Sequence, residues 1–325
     1  RMPPWHADPA HGSFANDRRL SDEEKALIYK WVEDGAPQGD ATELPKPKKY
    51  LAGWQLPQQP DLVVTMRDRP FRVAAEGKIK YQYFVVDPKF TEDNWVSMAE
   101  CLPGNRKVVH HILVFAQPSR GEPLSGEQGG FLAAYVPGLR AQPQPAGMAK
   151  RVKAGSRLIF QIHYTPIGTP QSDLSSIGIV FADPQDVNYE VRTVAAVQTQ
   201  FEIPPRDDNF RVTAQSRAAP IDVQLLALMP HMHLRGKSFQ YTARYPGGES
   251  EILLDVPQYD FNWQTAYRLK EPKLLPAGTR VHCVAHFDNS PQNLANPDPN
   301  QTVRWGDQTW EEMMIGYLDI ALPVR

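Results

Sequence analysis

The chain has 325 residues and a formal net charge of -2, and 41% of its residues are apolar. This length suits two domains and an extra piece better than one domain. Because the charge is near neutral and lysine and arginine are not clustered, nucleic acid and anionic membrane surfaces are not expected partners. No apolar run approaches the roughly 18–20 residues of a membrane span, so no span is expected.

The first forty residues hold the one convincing helical pattern of the sequence. Ser21 and Glu24 have the spacing of a capping box, in which each side chain bonds the backbone N–H of the other residue. Four apolar residues then recur at helical spacing between positions 27 and 32, and Gly35 ends the predicted helix. The proline-containing stretch 38–58 predicts a linker.

From residue 60 onwards, short β-type runs alternate with turns that contain proline and glycine. Many short strands with such turns predict an all-β fold of antiparallel sandwiches. A turn-forming stretch at 183–186 predicts a boundary between domains at 57–185 and 186–325, after an N-terminal piece at 1–56. The predicted strands are 61–66, 80–86, 108–116, 157–164, 177–181, 189–197, 221–229, 238–245, 251–255, 280–287 and 313–321.

The two cysteines, Cys101 and Cys283, are too few for a disulfide framework or a cysteine-rich zinc site. One disulfide and two free thiols both fit the sequence. His282 and His286 flank Cys283 on one predicted strand, and their even separation places both imidazoles on one face. Burial beside a core strand explains this pair more simply than a copper or zinc site does.

His231-Met232-His233 is the sharpest candidate for a metal site. Alternating residues of a strand point to one face, so His231 and His233 can offer two imidazoles to one ion without backbone strain. Imidazole suits copper, zinc, iron and nickel, so the pair names no metal by itself. Two hydrogen-bonded strand histidines without a metal would give the same pattern.

His110 and His111 are neighbours, and neighbours on a regular strand point to opposite faces. Both can bind one metal only where the strand ends or twists; otherwise one binds and the other packs. His163, within Gln161-Ile162-His163-Tyr164, is a single strand histidine, and such residues are more often part of a core.

Met313 follows two acidic residues on the last predicted strand. A methionine in a strand usually fills a core, but its thioether is soft and favours Cu(I) over Zn(II) or Mg(II). Together with two imidazoles it would form a site that can cycle between Cu(II) and Cu(I). We interpret Glu311 and Glu312 as solvated side chains or as anchors of this loop, rather than as an acid/base pair.

Taken together, these groups resemble a known family, the type II, ascorbate-dependent copper monooxygenases, which include peptidylglycine α-hydroxylating monooxygenase and dopamine β-monooxygenase. The order of the groups and the spacing between them are similar, and the resemblance covers roughly residues 57–325. The motifs that carry it are Val109-His110-His111-Ile112-Leu113-Val114-Phe115, Gln161-Ile162-His163-Tyr164, His231-Met232-His233 and Glu312-Met313.

The resemblance implies two jelly-roll-like antiparallel β-sandwich domains, one for each of two copper ions, facing a solvent-filled cleft. It implies a reaction that inserts one oxygen atom of O2 into a substrate C–H bond. The implied ligands are His110, His111 and His163 for an electron-transfer copper, and His231, His233 and Met313 for the copper that reacts with O2.

Two departures from the family pattern concern the substrate. Peptide-amidating members have an arginine two residues before the His-x-His pair and an asparagine two residues after the ligand methionine; here Met229 and Ile315 stand there. The next tyrosine is kept as Tyr317, and the resemblance implies a catalytic role for it. Without the arginine, a peptide C-terminal carboxylate is not an expected ligand. The chain looks more like bacterial relatives, which implies a periplasmic or secreted protein acting on a small molecule or peptide.

The N-terminal piece resembles the tail of a c-type cytochrome domain, through Met2-Pro3-Pro4-Trp5-His6, Asn16-Asp17-Arg18 and the sequence from Trp31 to Pro37. In such domains the methionine, here Met2, is an axial haem ligand. The chain has no Cys-x-x-Cys-His for attaching haem, so we expect haem only in a further upstream domain. The electron donor is then that domain or ascorbate.

Two other functions fit the same residues. A copper-binding electron-transfer or O2-reducing module without an organic substrate needs the same redox ion. A structural or carbohydrate-binding β-sandwich would carry the histidines incidentally. A concave apolar pocket beside His231 and His233 would favour the monooxygenase.

Overall fold

The computed structural model describes residues 3–47, 53–118, 130–136, 139 and 141–324. Apart from one α-helix and two 3-10 helices (Ala41–Glu43 and Pro184–Asp186), the regular structure of these residues is β, so the predicted all-β fold is confirmed. Within the same ranges, no helix has the length and apolar character of a membrane span. Met2, the expected haem ligand, lies outside the described residues.

The helix α1 (Asp22–Glu33) begins as its sequence predicts. Ser21 is the N-cap: its Oγ accepts the N–H of Glu24 at 3.1 Å, and the Glu24 carboxylate accepts the N–H of Ser21 at 2.7 Å. Gly35 follows with a φ of 87°, a left-handed conformation that glycine adopts without strain. The apolar face does not enter a core, because Leu27 is 71% exposed and Trp31 is 50% exposed.

The first half of the described chain forms a sandwich. Its sheets β3-β8-β5-β6 and β1-β10-β4-β7 both contribute to one apolar cluster, in which Ile112, Phe160 and Ile177 are fully buried. A small sheet pairs β2 with β9. The strands are β1 (Leu62–Thr65), β2 (Phe71–Val73), β3 (Gln82–Val86), β4 (Asn94–Leu102), β5 (Val109–Gln117), β6 (Phe131–Tyr135), β7 (Met148–Val152), β8 (Arg157–Tyr164), β9 (Gln171–Asp173) and β10 (Ser176–Phe181).

The second half forms another sandwich. Its sheets β11-β20-β14-β17 and β13-β18-β15-β16 enclose a separate cluster that includes Leu228, Phe239 and Leu318, and β12 pairs with β19. The strands are β11 (Tyr189–Gln198), β12 (Glu202–Ile203), β13 (Phe210–Gln215), β14 (Val223–His231), β15 (Gly236–Arg244), β16 (Ser250–Val256), β17 (Tyr267–Leu275), β18 (Arg280–Phe287), β19 (Val303–Arg304) and β20 (Met314–Pro323).

One sheet runs through both halves, because β7 and β11 pair in parallel at Met148 and Tyr189. The N-terminal segment also joins the second half: Trp5 and Phe14 pack edge-on against Tyr267. The predicted boundaries at 57 and 186 stay predictions. Cys101 and Cys283 are free thiols buried in the two separate clusters, which leaves no disulfide between them.

Candidate metal centre

His111 and His163 lie directly opposite each other on β5 and β8. A register shift between Val109 and His111 takes His110 out of the regular alternation of the strand. His110 therefore joins the same group, and the ring centroids of the three imidazoles are 5.1 to 5.6 Å apart. The bulge supplies the irregularity that a site shared by two neighbouring histidines needs.

These three imidazoles have the spacing and chemistry of metal ligands. One ring nitrogen from each lies within 4.8 Å of the others. Nε2 of His111 and Nδ1 of His163 are buried and have no hydrogen-bond partner among the described residues. Burial lowers the pKa of all three rings, that of His163 to about 4. Neutral rings with orphaned nitrogens fit a bound metal ion.

His231 and His233 form the second group, at the end of β14, with ring centroids 5.3 Å apart. Nδ1 of His231 donates to Oε1 of Gln264 at 2.7 Å, and Nδ1 of His233 donates to the backbone oxygen of Glu311 at 3.1 Å. These bonds leave the lone pairs of both Nε2 atoms available to a metal ion. Burial lowers both pKa values, that of His233 to about 3.

Glu312 joins the second histidine pair to Met313. Its fully buried carboxylate accepts the backbone N–H of His233 at 2.8 Å, of Arg235 at 2.7 Å and of Met313 at 3.3 Å. Burial raises the pKa of Glu312 to about 8, and its three N–H donors and Arg235 oppose that rise. Glu312 is thus an anchor of the loop before Met313 and is not a solvated side chain.

Two aromatic rings contact the histidines. Phe261 stacks on His110, with centroids 5.8 Å apart and rings inclined by 16°, and meets His233 edge-on at 5.9 Å. The ring centroid of Tyr81 lies 5.1 Å from that of His111 and 5.0 Å from that of His163. Phe261 therefore contacts both histidine groups, which come from different halves of the chain.

A single cavity of about 910 Å³ opens onto both groups. Tyr317 lines it with its ring centroid 6.5 Å from that of His231, and Met229 and Ile315 line the same wall. The structure thus gathers all seven candidate residues at one cavity: His110, His111, His163, His231, His233, Met313 and Tyr317.

No protein-family model matches this chain. Among solved structures, it is similar to the infectious bursal disease virus VP2 subviral particle at 9% identity and a TM-score of 0.24, over 83% of this chain and 74% of that one. It is similar to the Sputnik virophage structure at 8% identity and a TM-score of 0.19, over 88% and 89%. Similarity at this level assigns neither a fold nor a function to the chain.

Three site residues carry no sequence signal. Phe261 and Gln264 belong to an irregular loop between β16 and β17, and Tyr81 is a single tyrosine before β3. The pair His282 and His286 lies apart from the cavity on β18, where Nδ1 of His286 bonds Oγ of Ser238 at 3.1 Å. Among the described residues these two histidines belong to no metal-binding group of three.

Proposed function

We propose that this chain is a copper-dependent monooxygenase that inserts one oxygen atom of O2 into a substrate C–H bond. The observation that carries the proposal is the convergence of two histidine groups on one cavity, with Phe261 in contact with each. The proposed ligands are His110, His111 and His163 at the first site, and His231, His233 and Met313 at the second.

Copper held at these residues would supply one-electron redox chemistry and reaction with O2. The overall reaction uses two electrons and two protons per O2, with one oxygen entering the product and the other leaving as water. Gln264 and the Glu311 carbonyl hold the Nδ1 protons of His231 and His233, which fixes both ring orientations. Tyr317, beside His231, would orient the substrate in the cavity.

The difference in metal ligands supports different roles for the two sites. Three imidazoles are less soft than two imidazoles with a thioether, so Met313 favours Cu(I) at the second site. The first site then suits storage and delivery of electrons. We propose ascorbate or a cytochrome c domain as the electron donor, and a periplasmic or secreted location. Haem would belong to an upstream domain.

The test is product formation by the copper-loaded protein with ascorbate and isotopically labelled O2, over a broad substrate panel. We expect a product that carries one labelled oxygen, and its loss in His231→Ala. His286→Ala is the matched control, because His286 lies outside the cavity. O2 consumption that never couples to an oxygenated product would instead establish an electron-transfer or O2-reducing module.

A further inference from the structure

The cavity wall formed by the second half is built in three rows across the sheet. His231 lies opposite Ile315 in the first row, and Met229 lies opposite Tyr317 in the second. Two residues further along, Ala227 lies opposite Asp319. Because a strand rises about 3.3 Å per residue, the third row is roughly 13 Å from the first. The cavity is therefore long, with the histidines at one end.

The wall formed by the first half has the same order. Across β5 and β8, His111 lies opposite His163 and Leu113 lies opposite Gln161. Further along β5, Phe115 lies opposite Phe131 of β6. The ends of both walls meet where Nζ of Lys150 donates to the Phe131 oxygen at 3.0 Å and to Thr193 Oγ1 at 3.1 Å. Thr193 itself lies opposite Asp319 in the third row.

The middle of the cavity is uncharged. Its walls there are Met229 and Tyr317 on one side, and Leu113, Gln161 and Ala134 on the other. A hydrocarbon body can bury its surface against such walls, at about 25 cal/mol for each Å² removed from water. A charged group placed there would lose its hydration without a partner.

The far end of the cavity carries excess positive charge. Lys150 donates to the Thr193 hydroxyl, which donates to Asp319, and the Asp319 carboxylate attracts both Lys150 and Arg268. Two cations therefore face this one carboxylate, while Lys270 and Glu271, which also line the cavity, carry opposite charges. Arg268 lies opposite Ala227, one strand away from Asp319. Its guanidinium donates to Oε1 of Gln142 at 3.2 Å and to the Pro143 oxygen at 3.1 Å, both neutral acceptors. It makes no salt bridge with any carboxylate of the described residues.

We propose that the cavity takes an amphiphilic carboxylate, with the carboxylate on Arg268 above the small side chain of Ala227 and the apolar body along Met229 and Leu113. Guanidinium is the preferred partner of a carboxylate, which it can grip with two hydrogen bonds. A carbon remote from the carboxylate then lies at the histidines. This inference rests on the proposed function, under which the carbon at the histidines is the one that is hydroxylated.

The test is calorimetric titration of the metal-free protein with hexanoate, decanoate and decanol. We expect decanoate to bind more tightly than either of the others, because it alone fills the apolar middle and reaches Arg268. Arg268→Met should weaken decanoate binding roughly tenfold or more and leave decanol binding unchanged. Lys273→Met is the control, since Lys273 lies on the same strand, pairs with Glu251 and is outside the cavity lining.

A second variant guards against misfolding of Arg268→Met. Ala227→Leu removes no hydrogen-bonding group of Arg268 and adds bulk beside it, so it should also weaken decanoate binding. Equal affinity of the protein for decanoate and decanol would overturn the proposal. It would also be overturned if Arg268→Met and Ala227→Leu had the melting temperature of the wild type and the decanoate affinity of Lys273→Met. If decanoate binds as expected but the copper-loaded protein oxygenates no substrate, the proposed function fails and the carboxylate site stands. If other substrates are oxygenated and decanoate does not bind, this inference alone fails.

Discussion

His111 faces His163 across two neighbouring strands, and the bulge beside them adds His110 to the same group. The three rings are therefore placed by β-pairing rather than by a flexible loop. Two of their nitrogens are buried without a hydrogen-bond partner among the described residues. Such orphaned nitrogens are costly in a core and cease to be so when a metal ion binds them.

Single histidine variants should separate the two sites. We expect His163→Ala to lose the first copper and keep the second, and His231→Ala to do the reverse, because the groups lie on different strands. Copper content measured after reconstitution and desalting checks this, with His286→Ala as the control. Equal loss of both ions in each variant would contradict the assignment of two sites.

Replacing the methionine should discriminate between copper oxidation states. Met313→Ala removes the only thioether of the ligand set, so Cu(I) affinity at the second site should fall while the first site is spared. Competition with a Cu(I) chelator measures this, and Met314→Ala, a buried neighbour on β20, controls for packing. A fall at both sites, or equal falls in both variants, would argue against Met313 as a ligand.

The hydrogen bond from His231 to Gln264 should tune metal affinity. Gln264→Leu leaves the Nδ1 proton of His231 without its acceptor, and loss of such a partner typically weakens metal binding roughly tenfold to hundredfold. Gln161→Leu serves as the control, because Gln161 lies on the other wall of the cavity and donates to the hydroxyl of Tyr83, which is outside the cavity lining. Copper titration should show the loss at the second site in Gln264→Leu alone; unchanged affinity would refute this role.

Glu312 should matter for both stability and the second site. Above about pH 8, where the Glu312 carboxylate is ionised, Glu312→Gln replaces one accepting oxygen by a donor inside a buried network, which should lower the unfolding free energy by about 1–3 kcal/mol. Glu311→Gln keeps the backbone carbonyl that accepts the Nδ1–H of His233, so it should lower the unfolding free energy by less. Denaturant unfolding of the metal-free protein measures both. The Cu(II) spectrum of the second site should change in Glu312→Gln only, and matching spectra in the two variants would contradict the anchoring role.

The sequence predicts strands well where apolar alternation is strong, as at Arg157–Tyr164 and Arg280–Phe287, whose bounds agree with the prediction. It misses β17, because this edge strand contains Lys270, Glu271 and Pro272, residues typical of loops and of strand edges. It also misses β4, in which Glu100 is buried and its carboxylate accepts the N–H of Gln55 at 2.7 Å. In both strands, tertiary neighbours outweigh the local pattern.

The candidate ligands could be named from sequence motifs, but their arrangement could not. The orientation of His110 depends on the pairing of β5 with β8, which a local pattern does not encode. Phe261 and Gln264 reach the histidines from a loop, and only the packing of the chain places them there. The three rows of paired residues along the cavity wall, and the position of Arg268 beside the third row, likewise depend on strand register.

The most direct test is a crystal of the copper-loaded, reduced protein, with anomalous scattering measured at the copper absorption edge. We expect two peaks facing one cavity, one among His110, His111 and His163 and the other among His231, His233 and Met313. The absence of copper peaks at these residues, or copper bound elsewhere in the chain, would refute the assignment of the two copper sites.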